Sequence, residues 1–232
     1  MNADNFRING YTILPDIFTS AEIQAIANCI ETTDSSGPAF RRTNDLFAIR
    51  HFLRVIPAVQ PLIFTSALNS LLAQTIGPDH CCVKSIYFDK PPGSNWFVAW
   101  HQDLTIAVNR KFSLPGFGPW TVKGDQYAVQ PPVGILQSIY TIRIHLDDTD
   151  ESNGALRVLP GTHLRGIERF SPELLDSHPC EPCCVPRGGV MVMRPLLQHA
   201  SSRSTAGKRR RVIHLEFSNV QLPPGLSWSE QL

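Results

Sequence analysis

No stretch of this sequence stays apolar for the ~20 residues that a membrane-crossing helix needs. The longest apolar segments, such as Pro61 to Leu72, are broken by Thr65, Ser66, Asn69 and Ser70. Charge of one sign is lacking too: 21 Lys and Arg face 20 Asp and Glu, leaving a net +1. With no long-range field to draw a polyanion, and Lys208-Arg209-Arg210-Arg211 as the one dense basic run, neither nucleic acid nor membrane is expected as a partner. The polar opening Asn2, Asp4, Asn5, Arg7 is unlike a secretory leader and points to the cytoplasm. Internal repeats, low-complexity tracts and Gly/Ser linkers are missing, so residues 1–232 are expected to form a single domain.

Cysteine is present but not in a disulfide pattern. Cys81-Cys82 and Cys183-Cys184 are vicinal pairs, and neighbouring cysteines seldom bond to each other, so reduced thiols are expected. Cys180-x-x-Cys183 with His178 beside it has half the spacing of a zinc site, but its other half would have to be Cys81-Cys82, about a hundred residues earlier. A chain of 25.8 kDa can bury about 70% of its unfolded surface, enough for a core without staples.

The order of elements is legible in the hydrophobic pattern. Gly10 to Leu14 is a short β-prone run ended by Pro15. Thr19-Ser20-Ala21-Glu22 is a capping-box signature for a helix to about Glu31, with Ile23, Ile26, Ala27 and Ile30 on one face. A second helical pattern covers about Val59 to Ile76, striped by Leu62, Ile63, Leu68, Leu71 and Leu72 and stopped by Gly77-Pro78. Beyond residue 80 come short β-prone runs at about 82–89, 96–100, 138–146, 155–159, 190–193 and 210–218, separated by Pro, Gly, Asn and Asp. The expected fold is therefore mainly β, with a helical part at about 16–78 packed on one sheet of a β core at about 82–218. Leu104 to Pro132 fits neither pattern. Its length and its aromatics, Phe112, Phe117, Trp120 and Tyr127, suggest a loop that covers a site. Asn153-Gly154 reads as a structural turn and His163 as a surface turn residue.

His101-Gln102-Asp103 carries the chemistry. In an extended segment residues i and i+2 project to one side, so the imidazole and the carboxylate converge. Two ligands do not hold an ion securely, and a ferrous site with open positions takes two His and one carboxylate. His51, His80 and His178 sit in contexts without an apparent partner. Candidates for the third ligand are His145, His163, His199 and His214; of these His199 follows the strand Val190–Met193 and stands at a strand end beside a Ser-rich turn, whereas His145 and His214 are mid-strand. Eleven residues after His199, Arg210 opens a β-prone run, where a guanidinium could clamp the carboxylate of a dicarboxylic cosubstrate. Trp96 and Trp100 flank the His101 strand and either line a pocket or pack under the sheet.

The order Gly10-Tyr-Thr-Ile-Leu-Pro15 plus helix, Lys90-Pro-Pro-Gly93, Trp100-His-Gln-Asp103, Leu146-Asp-Asp148, Asn153-Gly-Ala-Leu-Arg-Val-Leu-Pro-Gly-Thr-His163, His199 and Arg210 resembles the phytanoyl-CoA dioxygenase family. That resemblance runs from about residue 10 to 218 and implies a double-stranded β-helix, or jelly roll of the cupin type, that binds Fe(II), 2-oxoglutarate and O2. It implies His101, Asp103 and His199 as metal ligands, Arg210 and Ser201 as holders of the cosubstrate carboxylate, and Arg143 as a further residue on the cosubstrate side. The implied reaction hydroxylates an unactivated carbon of a small organic substrate and releases succinate and CO2. Halogenation is disfavoured because the carboxylate of Asp103 stands where halogenating members carry a small residue. The alternatives are a cupin-like metal enzyme that does not use 2-oxoglutarate, and a non-catalytic jelly roll that binds a small molecule.

Overall fold

Two antiparallel sheets face each other in the computed structural model, which describes residues 3–34, 40–43, 47–94, 96–123 and 126–232. In chain order the strands are β1 (Tyr11–Leu14), β2 (Phe40–Arg42), β3 (Phe47–Arg50), β4 (Cys81–Lys90), β5 (Val98–His101), β6 (Ile106–Val108), β7 (Trp120–Lys123), β8 (Gln126–Val129), β9 (Tyr140–His145), β10 (Leu156–Val158), β11 (Glu181–Cys183), β12 (Val190–Met193), β13 (His199–Ser201) and β14 (Arg210–Ser218). The large sheet has the order β1-β12-β9-β14-β4-β3-β2 and the small one β11-β10-β13-β5. From β4 to β5 and again from β9 to β10, β12 to β13 and β13 to β14 the chain crosses between them, which makes the core a jelly roll.

Strand alternation sorts the two faces of the large sheet. On β14, Ile213, Leu215 and Phe217 join Ile142, Ile144, Val190 and Val192 in an apolar layer with Ile23, Ile26, Leu68 and Leu72 of the helices. Each such side chain contributes about 1.5–3 kcal/mol on burial. The residues between them, Arg210, Val212, His214 and Glu216, face the small sheet with Arg143 and Lys90, their register partners or neighbours. At one end this interior is apolar, with Leu156, Val158, Met191, Met193 and Leu197 in contact. The other end is lined with charge.

The helix Ser20–Glu31 forms as its sequence expects: Thr19 Oγ1 accepts from Glu22 N while Glu22 Oε2 accepts from Thr19 N at 2.7 Å. Three expectations need correction. The pattern over 59–76 is not one helix. It divides into the helical turn Gln60–Ile63 and the helix Ser66–Thr75, because Thr65 adopts an extended conformation and caps Leu68 N. Between the two helical regions lie β2 and β3, short strands that extend the large sheet beyond β4.

The third correction concerns Leu104 to Pro132, which is not an open loop. Among its described residues β6, β8 and β7 form a sheet. Ile106, Val108 and Val129 are buried there with Val83, Leu136, Leu196, Leu226 and Trp228. Phe117, Trp120 and Tyr127 pack against this core whereas Phe112 is exposed under Arg110, and the C-terminal tail lies on it through Ser229 N to Ala107 O.

Candidate metal centre

The pairing of β5 with β13 places His101 directly opposite His199. His199 thus lies in a strand rather than at the start of a turn. Val98 pairs with Ser201 two positions on, so β5 has one residue too many for β13 and bulges. Simple alternation from Val98 would turn His101 outward; the bulge lets Val98 and His101 both line the interior, a familiar use of a bulge beside a site. Gln102 secures the next step. It is buried, donates to Gly166 O and Leu196 O at 2.8 and 2.7 Å, and accepts from Glu168 N. Asp103 is then held through its own N–H on Pro195 O.

The two imidazoles, tilted 51° to each other, commit the same ring nitrogen to the backbone. His101 Nδ1 lies 2.8 Å from Ala99 O and His199 Nδ1 2.9 Å from Leu197 O. A carbonyl only accepts, so each Nδ1 carries the proton and each Nε2 offers its lone pair. Those lone pairs meet Asp103 from two sides, His101 Nε2 at 3.7 Å from Oδ1 and His199 Nε2 at 3.8 Å from Oδ2. Both distances exceed a hydrogen bond, so the three groups converge without bonding to one another, and they fall within one metal-competent group. Burial pulls His199 down to about 4, against the pull of Asp103 in the other direction. Burial alone would raise Asp103, but His199, Lys84, His214 and His101 hold its carboxyl far below the usual range. A His199 imidazole kept neutral by burial beside an ionised carboxylate is part of the donor set a divalent cation requires.

The centre opens into a cavity of about 190 Å³ between the sheets. Arg210 lies along it, 5% exposed, with Nε and Nη1 buried and lacking any partner. Burial, with a smaller push from Arg143, brings its guanidinium down to about 9. Its sequence neighbours face the other way: Arg209 pairs with Asp89 at 2.6 Å and Arg211 with Asp147 at 2.7 Å. Orphaned guanidinium donors inside a cavity fit an anion such as the distal carboxylate of 2-oxoglutarate. Ser201 lines the same cavity and donates to Gly154 O at 3.0 Å. Gly154 has φ +82°, and a Cβ there would stand 2.6 Å from Ser202 O.

Lys90, Lys84 and Glu216, to which the sequence reading gave no role, belong to this cavity or its floor together with the candidates Arg143 and His214. Lys90, 1% exposed, lines it and donates to Ser202 O at 2.8 Å. Arg143, also a lining residue, donates through Nη1 to His214 Nδ1 at 3.1 Å, so His214 Nε2–H donates to Glu216 Oε1, which Lys84 Nζ meets at 2.6 Å. Burial lowers Arg143 to about 10 while Asp103 works against that shift. Asp103, His214 and Glu216 form a second metal-competent group, but the Lys84 ammonium and the Arg143 guanidinium already supply its cations. The one available signal was the alternation of His214 and Glu216 with Ile213 and Leu215 along β14.

The remaining candidates go elsewhere. His145 is buried and its Nδ1 meets Thr149 Oγ1 at 2.8 Å. His163 is buried too, rather than at the surface. It packs where a Cβ on Gly10 would meet its Nδ1 at 2.3 Å, with its Nε2 3.2 Å from Arg7 O. Trp96 lines the cavity, whereas Trp100 stacks on Phe170. None of the described residues between 104 and 132 lines the cavity; those residues pack instead with the C-terminal tail. Among the described residues no cysteine belongs to a metal-competent group.

A family model described as phytanoyl-CoA dioxygenase matches residues 6–212. The fold is shared with AviO1 from Streptomyces viridochromogenes Tue57, at 20% identity over 96% of this chain and 95% of that one, with a TM-score of 0.66. EctD from S. alaskensis, solved with 2-oxoglutarate and 5-hydroxyectoine, superposes with a TM-score of 0.69 at 18% identity, covering 93% of this chain and 74% of that one. SnoK, a non-haem alpha-ketoglutarate-dependent carbocyclase from nogalamycin biosynthesis, gives a TM-score of 0.68 at 15% identity over 97% and 84% of the two chains.

Proposed function

Because the chain belongs to the phytanoyl-CoA dioxygenase family of non-haem iron, 2-oxoglutarate-dependent oxygenases, we propose that it hydroxylates an unactivated carbon of a small organic molecule. In this reading 2-oxoglutarate and O2 are consumed, and succinate and CO2 are released. The observation that carries it is the matched pair of imidazoles: both Nδ1 protons are committed to backbone carbonyls, and both Nε2 lone pairs face Asp103.

His101, Asp103 and His199 would hold Fe(II), with other coordination positions left to cosubstrate and O2. Iron held in this way, with 2-oxoglutarate beside it, supplies the oxidising power to remove a hydrogen atom from an unactivated C–H bond and return hydroxyl. The chain's own residues position and protect. Arg210 directs its unpartnered Nε and Nη1 at the distal carboxylate, and Ser201 turns its hydroxyl from Gly154 O towards the same group. Arg143 faces the cavity from the large sheet, as Arg210 does, and balances charge on the cosubstrate. Phe88, Leu156 and Val212 line the stretch between and keep water from the reacting centre.

Anaerobic titration of the full chain with Fe(II) and 2-oxoglutarate tests the proposal. The expected result is a weak visible charge-transfer band that needs both components, followed by succinate release on admitting O2. A chain that binds iron yet neither develops the band nor forms succinate would favour the cupin-like reading without 2-oxoglutarate.

A further inference from the structure

Two guanidiniums face the metal cavity from the large sheet, and they stand at different places along it. Arg143 lies opposite His214 in the pairing of β9 with β14, whereas Arg210 lies four residues before His214 on the same face of β14. At about 3.3 Å per residue, the two are about 13 Å apart along the strand direction. Ligand atoms of Asp103 and His214 come within 4.8 Å of each other. Arg143 therefore stands beside the triad and Arg210 at the far end of the cavity.

Arg143 is fixed there with donors to spare. Its Nη1 donates to His214 Nδ1 at 3.1 Å, while its Nε is buried without a hydrogen-bond acceptor. The acids that could neutralise it are committed elsewhere. Glu216 meets Lys84 Nζ at 2.6 Å, and Asp103, the one acid among the described lining residues, faces the two imidazoles. Set against a ferrous ion and both guanidiniums, the Asp103 carboxylate and the two carboxylates of 2-oxoglutarate leave positive charge uncompensated. Buried charge without a partner is costly, so balancing the cosubstrate does not use up what Arg143 offers. Apolar side chains stand close by. Phe88 and Trp96 stack with ring centroids 6.3 Å apart, Phe88 stands perpendicular to the His214 ring 6.2 Å away, and Val98, Leu156 and Val212 complete the wall.

We infer that the primary substrate is a carboxylate carried on a compact apolar body. Arg143 receives the carboxylate beside the triad, where a planar guanidinium matches its two oxygens, and the body lies along Phe88 and Trp96. The inference rests on the reading above, in which Arg210 takes the distal carboxylate of 2-oxoglutarate and so leaves Arg143 for the second reactant. It makes Arg143 the residue that selects an anionic substrate over its neutral counterpart.

Phenylacetate and its neutral counterpart phenylacetamide are the probes. The full chain is loaded anaerobically with Fe(II) and saturating 2-oxoglutarate, the charge-transfer band confirming the load, and titrated by calorimetry with each. Saturable binding of phenylacetate is expected, at least about tenfold tighter than phenylacetamide, with the band retained. Arg143→Gln keeps an N–H for His214 but no charge; it is expected to weaken phenylacetate by about tenfold or more and phenylacetamide by less than about threefold. Its loss of 2-oxoglutarate affinity is expected to be the smaller of the two losses, and Arg143→Lys to recover part of the preference. Thermal midpoints report whether the variants are folded; should both misfold, the wild-type preference between the two probes decides. No saturable phenylacetate binding in protein that shows the band, equal affinity for the amide, or a folded Arg143→Gln that keeps the preference would overturn the inference and leave the proposed function standing. Loss of the band on adding phenylacetate, or an Arg143→Gln defect confined to 2-oxoglutarate, would also overturn it by placing both carboxylates in the cosubstrate's position. Failure of the band to form at all counts against the proposed function itself, and the inference falls with it.

Discussion

The imidazole rings of His101 and His199 lie with centroids 4.1 Å apart at opposed positions of β5 and β13. Neither can turn its Nε2 away without giving up the Nδ1 hydrogen bond to its own strand. The proposed ligand set is thereby oriented by backbone, an arrangement that second-sphere partners commonly provide for metal-bound histidine.

The first prediction concerns that set. His101→Ala, Asp103→Ala and His199→Ala are each expected to reduce 2-oxoglutarate-dependent succinate release by at least about 100-fold. His101 and Asp103 have side chains 38% and 26% exposed, so their alanine variants are expected to fold, and a cooperative thermal transition checks this. Wild-type rates of succinate formation in either variant would remove the proposed metal centre.

Arg210→Met is expected to move stability and binding in opposite directions. A buried guanidinium with two orphaned nitrogens destabilises the ligand-free protein, and methionine fills similar space without charge. The variant should gain about 1–3 kcal/mol in urea unfolding of the metal-free protein while 2-oxoglutarate binding weakens by about 100-fold or more. A variant that is less stable, or that binds 2-oxoglutarate normally, contradicts the role given to Arg210.

Why some of this was legible in the sequence and some was not follows from how far each interaction reaches along the chain. The Thr19–Glu22 capping box and the His101–Asp103 pair are local, set by spacing within one turn or one strand. Phe64-Thr65 breaks a continuous apolar stripe by a backbone change that hydrophobic periodicity does not register. Ile106, Val108 and Val129 read as scattered apolar residues in a loop because their partners, Leu226 and Trp228, arrive from the far end of the chain. Lys84 and Glu216 carry no signal of burial in the sequence, yet both lie inside, because both faces of the large sheet are covered. Polar alternation in a strand looks the same whether it faces water or a charged cavity.

Acid should destabilise the metal-free protein over a window set by buried histidines. Burial lowers His145, His163, His199 and His214 from the ordinary 6.5, His199 to about 4. Between those values the unfolded chain binds protons that the native state refuses, so stability rises with pH across the window and is lost as pH falls through it. His199 by itself accounts for about 3 kcal/mol between neutral pH and pH ~4. Urea unfolding in the presence of a chelator is expected to show a midpoint that drops steadily from pH 7 to pH 5. A flat profile over that range would mean these rings are already charged or exposed.

Glu230 anchors the C-terminal tail where three parts of the chain meet, and the last prediction tests that anchor. Its side chain, 1% exposed, accepts from Ser85 N at 3.1 Å and from Ser85 Oγ in a short hydrogen bond, and lies 2.9 Å from His51 Nδ1. Ser85 Oγ in turn accepts from Leu53 N, so one carboxylate joins the tail, the middle of β4 and the helical turn Phe52–Val55. Leu232 and Cys82 exchange backbone hydrogen bonds just beyond it. Glu230→Ala strips buried donors of their acceptor and should cost about 2–4 kcal/mol in urea unfolding. Glu230→Gln keeps one acceptor oxygen in place and should cost less. Because Glu230 and Ser85 are absent from the metal cavity lining, succinate release per folded molecule is expected to be unchanged in both. A loss below about 0.5 kcal/mol for Glu230→Ala would show that the tail is held without this carboxylate, by the packing of Leu226 and Trp228 and the backbone bonds of Ser229 and Leu232.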